Sequence, residues 1–181
     1  MSEKTISIEA TVQKHSADEL VQLCGRIETC LGKLTPAQIW TRGHDNENAA
    51  GNLVLHLAGN VRQWILHGVG GQPDVRKRDT EFAARELETD ELKRRLRSTV
   101  DEAAAVIRAL PPAVLSERRT IQKYDVTVLE AILHVVEHFS GHTGQIIFIT
   151  KFLTGEDLGF YWHLRSTQGS GSTQAHGEKT P

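Results

Sequence analysis

The chain has 181 residues, 39% hydrophobic and 24% charged, which fits one globular domain with a sizeable core and excludes wholesale disorder. Lys and Arg number 21 against 23 Asp and Glu, a formal net charge of -2, so no strongly cationic nucleic-acid binder and no polybasic membrane anchor is expected. The two cysteines, Cys24 and Cys30, form no CxxC and stand about 600° apart on a helix, which excludes a disulfide framework and a cysteine zinc site. No apolar run of about 18 residues marks a membrane span. The opening MSEKTISIEA lacks the apolar core of a signal peptide, so the cytoplasm is the expected location. Nine histidines stand out against two tyrosines and one methionine.

Four segments carry a helical period. In the first, roughly 16 to 34, Ser16 and Glu19 make a capping-box pattern ahead of Leu20, Leu23, Ile27 and Leu31. In the second, roughly 48 to 68, Leu53, Leu57, Val61, Trp64 and Ile65 recur at threes and fours. The third, roughly 89 to 110, starts at Thr89 as N-cap, continues through Leu92, Leu96, Val100, Ala103, Ile107 and Leu110, and stops at Pro111-Pro112. The fourth, roughly 127 to 153, has a second capping box in Thr127 and Glu130, with Gly155 just beyond its end. Its apolar side is Ile132, Leu133, Val136, Phe139, Ile146, Ile149 and Phe152. No segment has a convincing strand alternation. An all-α four-helix bundle is therefore expected. Residues 69–88 are long enough to cross the bundle and let helices two and three run parallel. Residues 111–126 form a small hairpin or an irregular loop. There is no internal repeat. The domain is expected to span 1–165, followed by a Gly/Ser/Thr-rich, disordered tail over 166–181.

The fourth helix carries His134, His138 and His142, four residues apart and so on one ridge. Three cannot share one ion, because His134 and His142 are about 12 Å apart along the axis and Zn–N bonds are only ~2.1 Å. Two adjacent members can, with a third ligand from elsewhere. His56, on the apolar face of helix two, is the best candidate, since a lone imidazole there is costly unless paired. His67 points almost the same way but lies about 16 Å further along. Phe139 holds the place where a zincin helix needs its Glu, and no Glu lies three residues before any His, so a metalloprotease of that kind and a carboxylate-bridged di-iron bundle are excluded. Three imidazoles leave a divalent ion with open positions, as in catalytic sites. Asn60 and Gln63 share the face of His56, and Gln145 shares that of His138 and His142; these amides are candidates to orient ligands or hold a substrate. His134 is expected behind the site, with Glu130 as its partner.

EHFSGHTGQI (137–146) and NLVLHLAGNVRQWI (52–65) resemble the helix-four and helix-two signatures of the DinB-like, damage-inducible (YfiT-like) superfamily of metal-binding four-helix bundles. The resemblance covers about residues 10–163, and in GEDLGFYWHL (155–164) the chain resembles an uncharacterised branch. It implies up-down-down-up connectivity and a divalent metal ion, zinc or nickel, held by His56, His138 and His142. It also implies homodimers and metal-dependent activities: transfer of a low-molecular-weight thiol, thiol-dependent isomerisation or hydrolysis. Gly141 and Gly144 flank His142, opening the helix surface beside it, which agrees with His142 rather than His134 as the second ligand. The leading expectation is a metal-dependent thiol S-transferase or hydrolase acting on a small molecule, with Asn60 and Gln145 near the bound ligand. The rival is a non-catalytic, stress-related dimeric module whose metal is only structural. Nucleic acid is not expected as a partner: Lys93, Arg94, Arg95 and Arg97 spread around a solvated helix.

Overall fold

A computed structural model describes residues 6–164. The expected tail over 166–181, and the domain boundary before it, lie outside the described residues. The chain is mainly helical, with one small two-stranded sheet. The helices are α1 (Ile8–Lys33), the short α2 (Pro36–Ile39), α3 (Ala50–Val61), the short α4 (Arg78–Ala83), α5 (Thr89–Ala109) and α6 (Val128–Thr154). Arg62–Val69 continues α3 as a π-helix. None of the helices is long and apolar enough to cross a membrane.

The long helices sit where the periodicity places them, but two of their starts move. α1 begins eight residues before the expected capping box. Ser7 is its cap, accepting from the Ala10 amide at 3.2 Å, and Ser16 is buried in mid-helix. The first two turns reach beyond the core, with Ile8 80% exposed, so the apolar period starts later than the helix. For α5 the N-cap is Glu88, without a side-chain bond, and Thr89 is already helical. The start of α6 is as expected: Thr127 Oγ1 accepts from the Glu130 amide at 3.1 Å, and Glu130 Oε2 accepts from the Thr127 amide at 2.6 Å. Gly155 ends it at φ 70°, the left-handed region that a side chain disfavours.

Residues 118–127 resolve the open choice between hairpin and loop, and correct the expectation of no strand. β1 (Arg118–Ile121) and β2 (Tyr124–Thr127) pair antiparallel, Ile121 opposite Tyr124, around a two-residue turn with Gln122 at φ 57°. With four residues per strand and only Ile121 buried, the alternation is too short to read.

One continuous core joins α1, α3, α5 and α6. Every long helix touches two others: α1 lies against α5 and α6, and α3 lies against the same two. Leu20, Ile27, Leu31, Leu57, Ile65, Leu92, Leu96, Ile107 and Phe139 are among its largest sealed side chains. Cys24 and Cys30 are buried free thiols, and burial pushes Cys24 up to about 12, so neither is a nucleophile. Leu133 and Phe152, expected on the apolar side of α6, are exposed instead. Phe152 pairs with the exposed Phe148, ring centroids 6.2 Å apart, on the outer side of α6.

Candidate metal centre

His56 stands in the interior of α3, 7% exposed, facing α6. His138 and His142 stand one turn apart on α6. The ring nitrogens of these three come within 4.8 Å of one another, close enough to hold a metal ion. His56 Nε2 and His138 Nε2 face each other at 3.1 Å. Two imidazoles on one tetrahedral ion with ~2.1 Å bonds put their nitrogens about 3.4 Å apart, so the pair needs little adjustment.

The outward nitrogen of each ring decides which nitrogen is free for the ion. Glu81 Oε2 lies 3.1 Å from His56 Nδ1. Arg76 Nη2, a donor, lies equally far from Nδ1 at 3.1 Å but closer to Glu81 Oε2 at 2.9 Å, to which it donates. With the carboxylate as its acceptor, Nδ1 carries the proton and Nε2 presents its lone pair to the centre. His142 Nδ1 donates to Gln145 Oε1 at 2.7 Å, which frees its Nε2 in the same way. Such outer partners fix the tautomer and raise the basicity of a ligating imidazole.

Glu81 is the functional residue that periodicity did not find. It lies on α4, in the long crossover. Arg76 Nε donates to its Oε1 at 2.8 Å and Arg76 Nη2 to its Oε2 at 2.9 Å. Gln63 Oε1 accepts from Arg76 Nη1 at 3.0 Å, so the amide expected beside the site acts one step back. Burial pushes the Glu81 carboxyl up, but hydrogen bonds from Arg76 and His56 outweigh it and hold it below the usual range. Asn52 anchors the crossover, its Nδ2 donating to the carbonyls of Glu81 and Ala84 at 2.9 Å. Gly59 gives the carboxylate room: a Cβ there would lie 2.0 Å from Glu81 Oε1. That absent side chain was the available sequence signal, and only the fold gives it meaning.

All three titrating α6 imidazoles are biased toward the neutral, ligating form. Burial lowers His138 to about 4, helped by the neighbouring His142, His56, His134 and Arg76. Burial lowers His142 against the opposing bond to Gln145, and burial lowers His134 as well. His134, however, is not the hydrogen-bonded group expected behind the site. It is exposed and has no hydrogen bond among those found for the described residues; its ring lies against Trp64, centroids 4.1 Å apart. Glu130, its expected partner, is engaged in the α6 cap. His67 is away from the centre, its Nδ1 donating to the Gln72 carbonyl at 2.7 Å.

A cavity of about 500 Å³ opens on the centre, lined by His56, Asn60, Trp64, Arg78, Tyr124 and His138 among others. Asn60 is thus at the site, 5% exposed. Gln145 reaches the site only through His142, and borders a separate cavity of about 930 Å³ with Gly141, Gly144, Phe148 and Phe152. A Cβ on either of those glycines would meet nothing within 4 Å, so they do not clear space around His142. The cationic run on α5 is engaged in ion pairs: Arg94 and Arg95 with Glu91, and Arg97 with Glu28 at 2.5 Å.

The family model described as "Protein of unknown function (DUF1572)" matches residues 8–163. The chain belongs to this family. The matched span contains every residue of the histidine centre and the whole crossover that supports it. A comparison of this DUF1572 chain with curated proteins returns no match.

Proposed function

We propose that the chain is a metal-dependent enzyme of the DinB-like class, a thiol S-transferase or a hydrolase, with a divalent ion held by His56, His138 and His142. On this reading the long helices form a four-helix bundle with up-down-down-up connectivity. The pairwise contacts of α1, α3, α5 and α6 support that arrangement. A bound divalent ion supplies Lewis acidity, which brings the pKa of a water or thiol toward neutrality. The chain's own residues do the rest. Glu81 and Gln145 keep the imidazoles in the ligating tautomer. Trp64 and Tyr124 offer aromatic walls to a substrate, and Arg78, exposed and outside any ion pair found among the described residues, offers a cation at the rim.

The observation that carries the reading is the convergence of three ring nitrogens beside a cavity large enough for a small molecule. A purely structural ion would be closed by four protein ligands. No fourth His, Cys, Asp or Glu joins the cluster among the described residues. The same reading includes a homodimer, and the exposed, stacked Phe148 and Phe152 supply an apolar patch suited to one. Elemental analysis of tag-free protein, followed by turnover assays of the zinc- and nickel-loaded forms on thiols paired with electrophiles and on hydrolysable amides and esters, tests it. Bound metal without turnover on any of these would favour the non-catalytic dimeric module.

A further inference from the structure

Each ligating imidazole needs an acceptor for its outward N–H, and two of the three have one. Glu81 serves His56, and Gln145 serves His142. His138 has none: its Nδ1 is buried without a partner. Only two other buried side-chain atoms among the described residues are unpartnered, Arg42 Nε and Asn60 Oδ1. Arg42 Nε is a donor and cannot serve a second donor. Asn60 Oδ1 is an acceptor. Its residue is 5% exposed and lines the same cavity as His138.

The helix register brings them to one level. α3 and α6 run antiparallel here, because His56 faces His138 and His142 while Trp64, two turns on, faces His134. Asn60, midway between His56 and Trp64, falls at the level between His134 and His138. A buried amide oxygen with no hydrogen bond, on the same cavity as a buried imidazole nitrogen with none, is a double cost unless the two satisfy each other.

The tautomer of His138 decides whether they can. With no ion, His138 Nε2–H donates to the lone pair of His56 Nε2, and Nδ1 becomes an acceptor, useless to Asn60 Oδ1. With an ion on Nε2, the proton moves to Nδ1, which becomes a donor. The two orphan atoms are complementary only in the second state.

We infer that Asn60 is the positioning residue of His138, its Oδ1 accepting the His138 Nδ1–H when a metal ion occupies the centre. The assignment rests on the metal-binding reading above and completes a set of one carboxylate and two amides behind three imidazoles.

Zinc titration of the full chain, with competition against a chromophoric chelator, tests it together with histidine ¹⁵N–¹H correlation spectra. In the wild type, saturating zinc should convert His138 to the Nδ1–H tautomer. Asn60→Leu should bind zinc about 10- to 100-fold more weakly, and Asn60→Asp, which keeps an acceptor, should restore affinity to the wild-type value or beyond. Thermal melts without metal report whether the variants fold; should Asn60→Leu fail to fold, the wild-type tautomer and the Asn60→Asp affinity still decide. Zinc held through His138 Nδ1, Asn60→Leu binding as tightly as wild type, or Asn60→Asp binding as weakly as a folded Asn60→Leu overturns the assignment and leaves the metal site standing. A wild-type chain that takes up no zinc overturns both.

Discussion

The two sides of the histidine centre are built by different means. On the α6 side, two imidazoles come from one helix at i and i+4, and the outer partner of His142 is three residues away on the same helix. Local geometry does almost all the work. On the α3 side, a single imidazole is held by a carboxylate 25 residues away, itself gripped by Arg76 and anchored through Asn52. One side is periodic and partly exposed. The other is a buried network stretched across the crossover. The comparison teaches that the outer partner of His56 depends on the docked crossover, whereas that of His142 is built into its own helix.

Removing a ligand from either side should have the largest effect. Tag-free protein should carry about one divalent ion per chain. His56→Ala, His138→Ala and His142→Ala should each abolish tight binding, measured by elemental analysis after dialysis. Full occupancy in any one of them would break the triad.

Next come the supports, where the sides should separate. Glu81→Gln keeps the shape but loses the charge gripped by Arg76, and should weaken zinc by about 100-fold. Gln145→Ala, at an exposed position that water can fill, should weaken it by about 10-fold. Equal losses in chelator competition would erase the contrast between a buried network and a local contact.

The pH dependence of the metal-free protein sharpens the α6 side. His138 is held at about 4 in the folded chain, chiefly by burial, against 6.5 for an unperturbed imidazole. Between those values the unfolded chain binds more protons. Stability from this group is therefore fully present above about pH 6.5, falls as pH drops and levels off near pH 4. Urea melts at pH 7, 5.5 and 4.5 should show that decline, and His138→Gln should flatten it. A decline unchanged in His138→Gln would assign it to other groups.

The smallest effect should be at His134. It is exposed and its ring lies tilted against Trp64, so His134→Ala should change zinc affinity by only about 0.5 kcal/mol, the scale of a surface substitution. A loss as large as that of His142→Ala would move the centre one turn along α6.

The same contrast explains what the sequence made legible. The long helices, the His138–His142 pair and His56 follow from periods of three and four, which are local and repeated. The Thr127 cap and the Gly155 stop are local too. Ser16 misled because a buried serine in mid-helix and a capping serine have the same spacing to the next Glu. Glu81, Arg76 and Gln63 were not legible as one unit, because α4 is six residues long and their pairing depends on how the crossover folds back. His134 misled for a related reason: its neighbours in sequence are apolar, yet its own ring lies over Trp64 at the open cavity and not in the core.

The π-helical stretch after α3 also sets a rotational phase. In a regular α-helix, Trp64 would sit about 80° around the axis from His56, eight residues earlier. The wider i→i+5 turns of Arg62–Val69 advance each residue by a smaller angle. They bring the indole back over the histidine ridge of α6, where it meets His134. The helix therefore runs two angular frames in series, one timed for the imidazole and one for the cavity wall. Shortening the second frame by one residue would swing the wall away while leaving His56 aimed where it is, and would turn the buried Ile65 and Leu66 with it, so the packing of these two side chains holds the width of the cavity.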